Sequence, residues 1–241
     1  LCAGAEIVAL PDSFEQYQCG ILGSEEDILA LAQKEEANAL VVADSHGNTP
    51  RLKSIVEQWG TDSDALIFCG DGIRDLCAIL GNAVEDHSFA LCIPPVIGFV
   101  MGNNDFDSFV AVNPLRKEDE SQPYYVEVKV PPSLCMNVCG TNVFVSHGHY
   151  YGVYGSPLAL CDAARENDAA LALYGHTHVA NASYIDDVYA VNPGSCSLPR
   201  MGQPAGFARI FFARGRKIPF CTFFKLQGGK YVPYKPLVSL W

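Results

Sequence analysis

A chain of 241 residues, 49% apolar and 18% charged, is long enough to bury one sizeable core and too apolar to stay disordered. Its net charge of −11 argues against docking on a nucleic-acid backbone, since Arg214–Lys217 is the one dense basic patch. No apolar run reaches the length of a membrane span, and no secretory signal pattern opens the chain. Ten cysteines are scattered without a C-x-x-C pair, which suits reduced core thiols in a cytoplasmic protein better than a zinc or disulfide framework.

In chain order, Glu6–Leu10 reads as a strand and Pro11–Gly20 as a loop. Ser24 with Asp27 three positions on predicts a capped helix over Glu25–Glu36. The apolar run Ala39–Ala43 then reads as a strand buried on both faces, ending in Asp44, Ser45, His46, Gly47 and Asn48. In extended backbone, Asp44 and His46 would project to the same side, into the crevice where open sheets bind ligands. Thr49 as cap, Pro50 at the first position and Gly60 as stop predict a helix, with Leu52, Ile55, Val56 and Trp59 on one face.

The strand-then-polar event recurs in Ala65–Asp71, Val96–Asp105, Val143–His149 and Ala170–His178. Five of the six histidines fall in these turns; His87 alone lies elsewhere, in a polar surface turn. Between them, Arg116–Gln122 reads as a solvated loop and Tyr124–Val130 as a half-exposed strand. Ser156–Pro157 opens a helix with Leu158, Cys161, Ala164 and Arg165 at helical spacing. Ala208–Ala213 and Phe220–Leu226 read as a hairpin on the sheet edge. No repeat or interdomain linker stands out, so one domain is expected.

Asp44, His46, Asp71, Asn103, His147, His176 and His178 form the candidate constellation. Imidazole and oxygen donors suit Mn, Fe, Co, Ni or Zn. Seven ligands exceed what one open catalytic ion needs and suit two ions about 3.5–4 Å apart.

The motifs D-x-H, G-D, G-N-x-D, H-G-H and G-H-T-H, in this order, resemble the calcineurin-like metallophosphoesterases. With the Asn192–Phe207 segment, the chain is similar to the small YfcE-type phosphodiesterases over about residues 39–215; residues 1–38 form an N-terminal extension. The resemblance implies an α/β fold: a two-sheet sandwich flanked by helices, with ligands at the C-terminal ends of strands. It allots Asp44, His46, Asp71 and His178 to a first metal, and Asp71, Asn103, His147 and His176 to a second. It further implies two divalent ions, foremost Mn2+, and in-line attack of a metal-bound water or hydroxide on a small phosphate ester. Dimers or higher assemblies are common among similar proteins.

Where many phosphoesterases carry a histidine that helps protonate the leaving group, this chain has Asn104. His149 is the candidate for part of that role or for a phosphate contact, with orientation of a ligand as the competing role. Asn48 is expected as a turn residue, Arg74 and Asp75 as an ion pair at a helix start, and Asn192–Ser195 as a turn behind the site. A phosphomonoesterase or nucleotidase is the alternative within enzymes. A protein-binding scaffold, as the fold provides in retromer, is the alternative outside them.

Overall fold

Leu40 and Val42 face one way and Ala39, Val41 and Ala43 the other, and all five are fully buried. A strand with two apolar faces needs cover on both, and this requirement sets the layers of the computed structural model, which describes residues 7–11, 14–117 and 119–236. The strands are β1 (Val8–Ala9), β2 (Glu15–Gln18), β3 (Ile21–Gly23), β4 (Glu36–Val42), β5 (Ala65–Phe68), β6 (Val96–Phe99), β7 (Ser108–Val112), β8 (Tyr125–Lys129), β9 (Ser133–Val138), β10 (Thr141–Ser146), β11 (Leu171–Leu173), β12 (Asn181–Ile185), β13 (Val188–Asn192), β14 (Gly206–Ala213), β15 (Phe220–Gln227) and β16 (Lys230–Tyr234). The helices are α1 (Glu25–Gln33), α2 (Thr49–Trp59), α3 (Ile73–Glu85), the single turn α4 (His87–Ala90) and α5 (Leu158–Glu166).

An eight-stranded sheet runs β16-β15-β14-β4-β5-β6-β3-β2, with β4, β5 and β6 parallel. A five-stranded sheet runs β12-β13-β11-β10-β9, with β10, β11 and β13 parallel. Val41, Ile67 and Val96 of the first meet Met136, Val143 and Leu171 of the second in one apolar layer. On the far side of the large sheet, Leu40, Leu66 and Ile97 pack with Leu52 and Ile55 of α2 and with Leu76 and Ile79 of α3. On the far side of the small sheet, Phe144 and Ala172 pack with Leu160, Cys161 and Ala164 of α5. The result is the expected sandwich, helix–sheet–sheet–helix. A third sheet, β1-β7-β8, adds Val8, Ala111 and Val128 to the helix-side core.

Several local expectations are corrected. The Pro11–Gly20 stretch contains β2, which pairs antiparallel with β3, and β3 in turn pairs with β6. Helix α1 keeps its Ser24 cap, whose Oγ accepts the Asp27 amide at 3.1 Å, but it stops at Gln33. Asn48, not Thr49, caps α2 by accepting the Arg51 amide at 3.2 Å. Helix α5 starts at Leu158 as expected and buries Cys161 and Ala164, but Leu158 is 46% exposed and Leu160 is buried instead. The β14–β15 hairpin is internal: β14 pairs with β4, and β16 forms the edge. Glu6 lies outside the described residues.

Candidate metal centre

The carboxyl ends of β4, β5 and β6 and those of β10 and β11 open on the same side of the sandwich. Their backbone ladders run on into the loops: the Asp44 amide donates to Gly70 O at 3.0 Å, the His46 amide to Asp71 O at 3.1 Å, and the Gly175 amide to His147 O at 3.1 Å. Asp44 and His46 do converge, with Nε2 3.8 Å from Oδ1. Extended alternation is not the cause, because β4 ends at Val42. Asp44, His46, Asp71, His176 and His178 all adopt left-handed backbone, with φ between 47° and 67°. Such turns cost non-glycine residues about 1–2 kcal/mol each and persist where the surroundings over-determine them.

Those surroundings are two carboxylates and a serine-rich turn. Asp105 accepts the amides of Asp71 (2.6 Å), Gly72 (2.9 Å), Ile73 (2.8 Å) and Gly102 (2.9 Å). It thereby also caps α3, whose own N-cap position, Gly72, has no side chain to do so. Asp75 accepts Ser45 Oγ at 2.5 Å, the Gly47 amide at 2.9 Å and Thr49 Oγ1 at 2.6 Å. The expected Arg74–Asp75 ion pair is therefore replaced, and Arg74 lies over the Phe106 ring instead. Ser195 and Ser197 hydroxyls donate to Asp44 O at 2.7 and 3.1 Å, so the Asn192–Ser195 turn does shape the site from behind. Gly102 is required by close approach, since a Cβ there would lie 2.0 Å from Asp71 Oδ1.

Asp44, His46, Asp71 and His178 bring one ligand atom each within 4.8 Å of one another. His147 Nε2 lies 3.4 Å from Asp71 Oδ2 and 3.9 Å from Asp44 Oδ1, and the His147 and His176 rings are 5.0 Å apart. His147 Nδ1 donates to Cys69 O at 2.8 Å and His178 Nδ1 to Leu198 O at 2.6 Å. A carbonyl can only accept, so in the neutral rings Nε2 is left as a lone pair. Those lone pairs face carboxylate oxygens, and His147 Nε2 is buried with no hydrogen-bond partner. Like-signed groups held this close fit a cation between them, and the carbonyls orient the imidazoles as outer partners of metal-binding histidines do.

The electrostatics agree. Burial pushes the Asp44 carboxyl up to about 7. Burial also opposes ionisation of Asp71, but the neighbouring His147 imidazole and the amides of Asn104 hold its carboxyl well below the ordinary range. Burial, then the neighbouring His147 charge, pushes His176 down to about 4. His147 is raised, because Asp71 and Asp44 outweigh the cost of burying its charged form.

Asn104, not Asn103, touches the shared carboxylate: its backbone N–H donates to Asp71 Oδ1 at 2.9 Å and its Nδ2 to Oδ2 at 2.7 Å. Asn103 is exposed. His149 is half-buried, its ring 5.4 Å from His147 and 6.0 Å from His176, and its Nδ1 has no partner. His87 is exposed and remote from the cluster.

This arrangement of layers and ligands defines a metallophosphoesterase fold. Residues 38–214 match the Calcineurin-like phosphoesterase superfamily domain, and the chain belongs to that family. It is 26% identical over 171 residues to the probable metallophosphoesterase YsnB of Bacillus subtilis, covering 71% of this chain and 82% of the relative. It is 35% identical over 68 residues to phosphodiesterase YfcE of Escherichia coli, covering 28% and 33%. In fold it is similar to Vacuolar Protein Sorting 29 from Cryptosporidium parvum, with a TM-score of 0.59, 15% identity, and coverage of 83% of this chain and 97% of that one.

Proposed function

We propose that this chain is a metal-dependent phosphodiesterase acting on a small phosphate ester. The observation that carries the reading is the set of imidazole lone pairs aimed at two buried carboxylates. Asp44, His46, Asp71 and His178 would hold one divalent ion, Mn2+ first among the borderline ions. Asp71, His147, His176 and an amide of the Asn103–Asn104 pair would hold a second, with Asp71 shared. Bound there, the ions would lower the pKa of water and offset charge on the phosphoryl oxygens. Asp75 and Asp105 hold the two carboxylate loops in register, while Cys69 O and Leu198 O hold the imidazoles. His149 Nδ1 is buried without a hydrogen-bond partner, which favours a role toward the phosphate or the leaving group over the orientation of a ligand. No described helix is long and apolar enough to cross a membrane, in keeping with a cytoplasmic setting.

The test is hydrolysis of bis-p-nitrophenyl phosphate and p-nitrophenyl phosphate by metal-stripped protein with Mn2+ added back, beside Asp71→Asn. Mn2+-dependent cleavage of the diester that disappears in Asp71→Asn supports the reading; preference for the monoester would make it a phosphomonoesterase. The fold match to Vacuolar Protein Sorting 29 favours a second reading, a protein-binding scaffold. Absence of both metal binding and turnover would select it.

A further inference from the structure

Three exposed aromatic rings border the metal cleft. Phe106 follows the Asp105 clamp, Tyr150 follows His149, and Tyr154 sits beside His176; they are 54%, 67% and 51% exposed. Leaving large rings in water is unfavourable, so a cluster of them at a site marks a surface with an occupant. Each is also fixed. The Tyr150 and His149 rings are 4.0 Å apart, and the Tyr154 ring is 4.8 Å from His176. Tyr154 OH donates to His176 O at 3.0 Å and accepts from the Arg200 guanidinium.

A cation accompanies the rings on each wall. Arg74 lies 4.8 Å from the Phe106 centroid and Arg200 5.9 Å from that of Tyr154. The Arg200 backbone N–H donates to His178 O at 3.1 Å, which ties this arginine to a ligand loop. Among the described residues its guanidinium has Tyr154 OH as its one side-chain partner, leaving other N–H groups for an anion. Aromatic faces next to arginines are the chemistry with which proteins hold stacked bases and their phosphates.

We propose that Tyr154 and Arg200 form a subsite for an aromatic, base-like group on the substrate, with Tyr154 stacking on the ring and Arg200 pairing with the phosphate. The substrate class is then a phosphodiester of a nucleoside or a similar aromatic alcohol, not a simple alkyl ester. This rests on the phosphodiesterase reading, and it makes Tyr154 a specificity-determining residue.

Two esters with the same leaving group separate the claims: the p-nitrophenyl ester of thymidine 5′-monophosphate and methyl p-nitrophenyl phosphate, assayed with Mn2+-loaded protein. The wild type should favour the nucleoside ester in kcat/KM. Tyr154→Ala should lower that preference by about 5- to 50-fold, mainly through KM, as loss of one base stack does. Tyr154→Phe, which keeps the ring, should retain most of it. Equal kcat/KM on the two esters, or an unchanged preference in Tyr154→Ala, would overturn the subsite while leaving the phosphodiesterase reading standing. Turnover of neither ester by the wild type would overturn both.

Discussion

The two walls of the cleft are built on different sheets and stabilised by opposite chemistry. The large sheet contributes Asp44, His46 and Asp71, and their loops are held because other carboxylates, Asp75 and Asp105, gather backbone N–H groups around them. The small sheet contributes His147, His176 and His178, and two of these rings are held by donating to backbone carbonyls. The carboxylates come from one wall alone, while the imidazoles come from both. Neither wall alone offers a full ligand set. The Asp–His cluster that could hold a cation forms because the sheets pack with the carboxyl ends of both strand groups on one side.

The largest way to break this complementarity is at Asp71, which His147 approaches from the other wall and Asn104 from its own. Asp71→Asn should reduce diester turnover on the order of 10³-fold or more, the scale seen when one group stabilising transition-state charge is lost. Steady-state kinetics at saturating Mn2+ checks it. Next come the clamps. Asp105→Asn and Asp75→Asn touch no ligand atom by themselves, and each should weaken Mn2+ affinity about 10- to 100-fold, measured by calorimetric titration. Equal affinity in Asp105→Asn would mean that the left-handed turn at Asp71 needs no outside support.

Acidification sharpens the comparison. The Asp44 carboxyl, ordinarily near 3.8, is raised to about 7 by burial. Below 7 it holds a proton in the metal-free protein, and binding an ion must displace that proton. Affinity should therefore fall as pH drops through 7, approaching about tenfold per pH unit for each proton displaced. For folding the sign is reversed. Unfolded Asp44 ionises near 3.8 while the native carboxyl stays protonated to about 7, so this residue makes metal-free protein less stable as pH rises across that window. His176, lowered to about 4, works in the opposite sense over much of it, so the affinity titration isolates Asp44 better than melting does. The smallest effect belongs to His87→Ala, far from both walls and exposed, which should leave turnover unchanged and stability within about 0.5 kcal/mol by thermal melting.

Strand ends were legible in the sequence because each apolar run stops at a carboxylate or imidazole, and five such stops concentrate nearly all the histidines. Asp44 and His46 converge as strand alternation would suggest, but left-handed backbone, which no hydrophobic period reports, aims them. The Asn104 hydrogen bonds to Asp71 were hidden for the same reason, since no hydrophobic period reports the course of the Gly102–Asp105 loop. Asp105 itself left a trace. Helix α3 opens at Gly72 with no capping side chain, and an uncapped buried helix start requires acceptors from elsewhere in the chain. Asp75 left none, because its partners Ser45, Gly47 and Thr49 are about thirty residues earlier. The β2 strand was hidden by polar composition, EQYQ, since its ladder bonds to β3 rather than its side chains place it.

The central claim is that the two walls jointly hold two ions, and the most direct measurement is Mn2+ stoichiometry on stripped protein, wild type against His147→Ala. Two ions per chain are expected in the wild type and one in His147→Ala, with the Asp44–His46–Asp71–His178 set still filled. One ion in both proteins, or none in either, would contradict it.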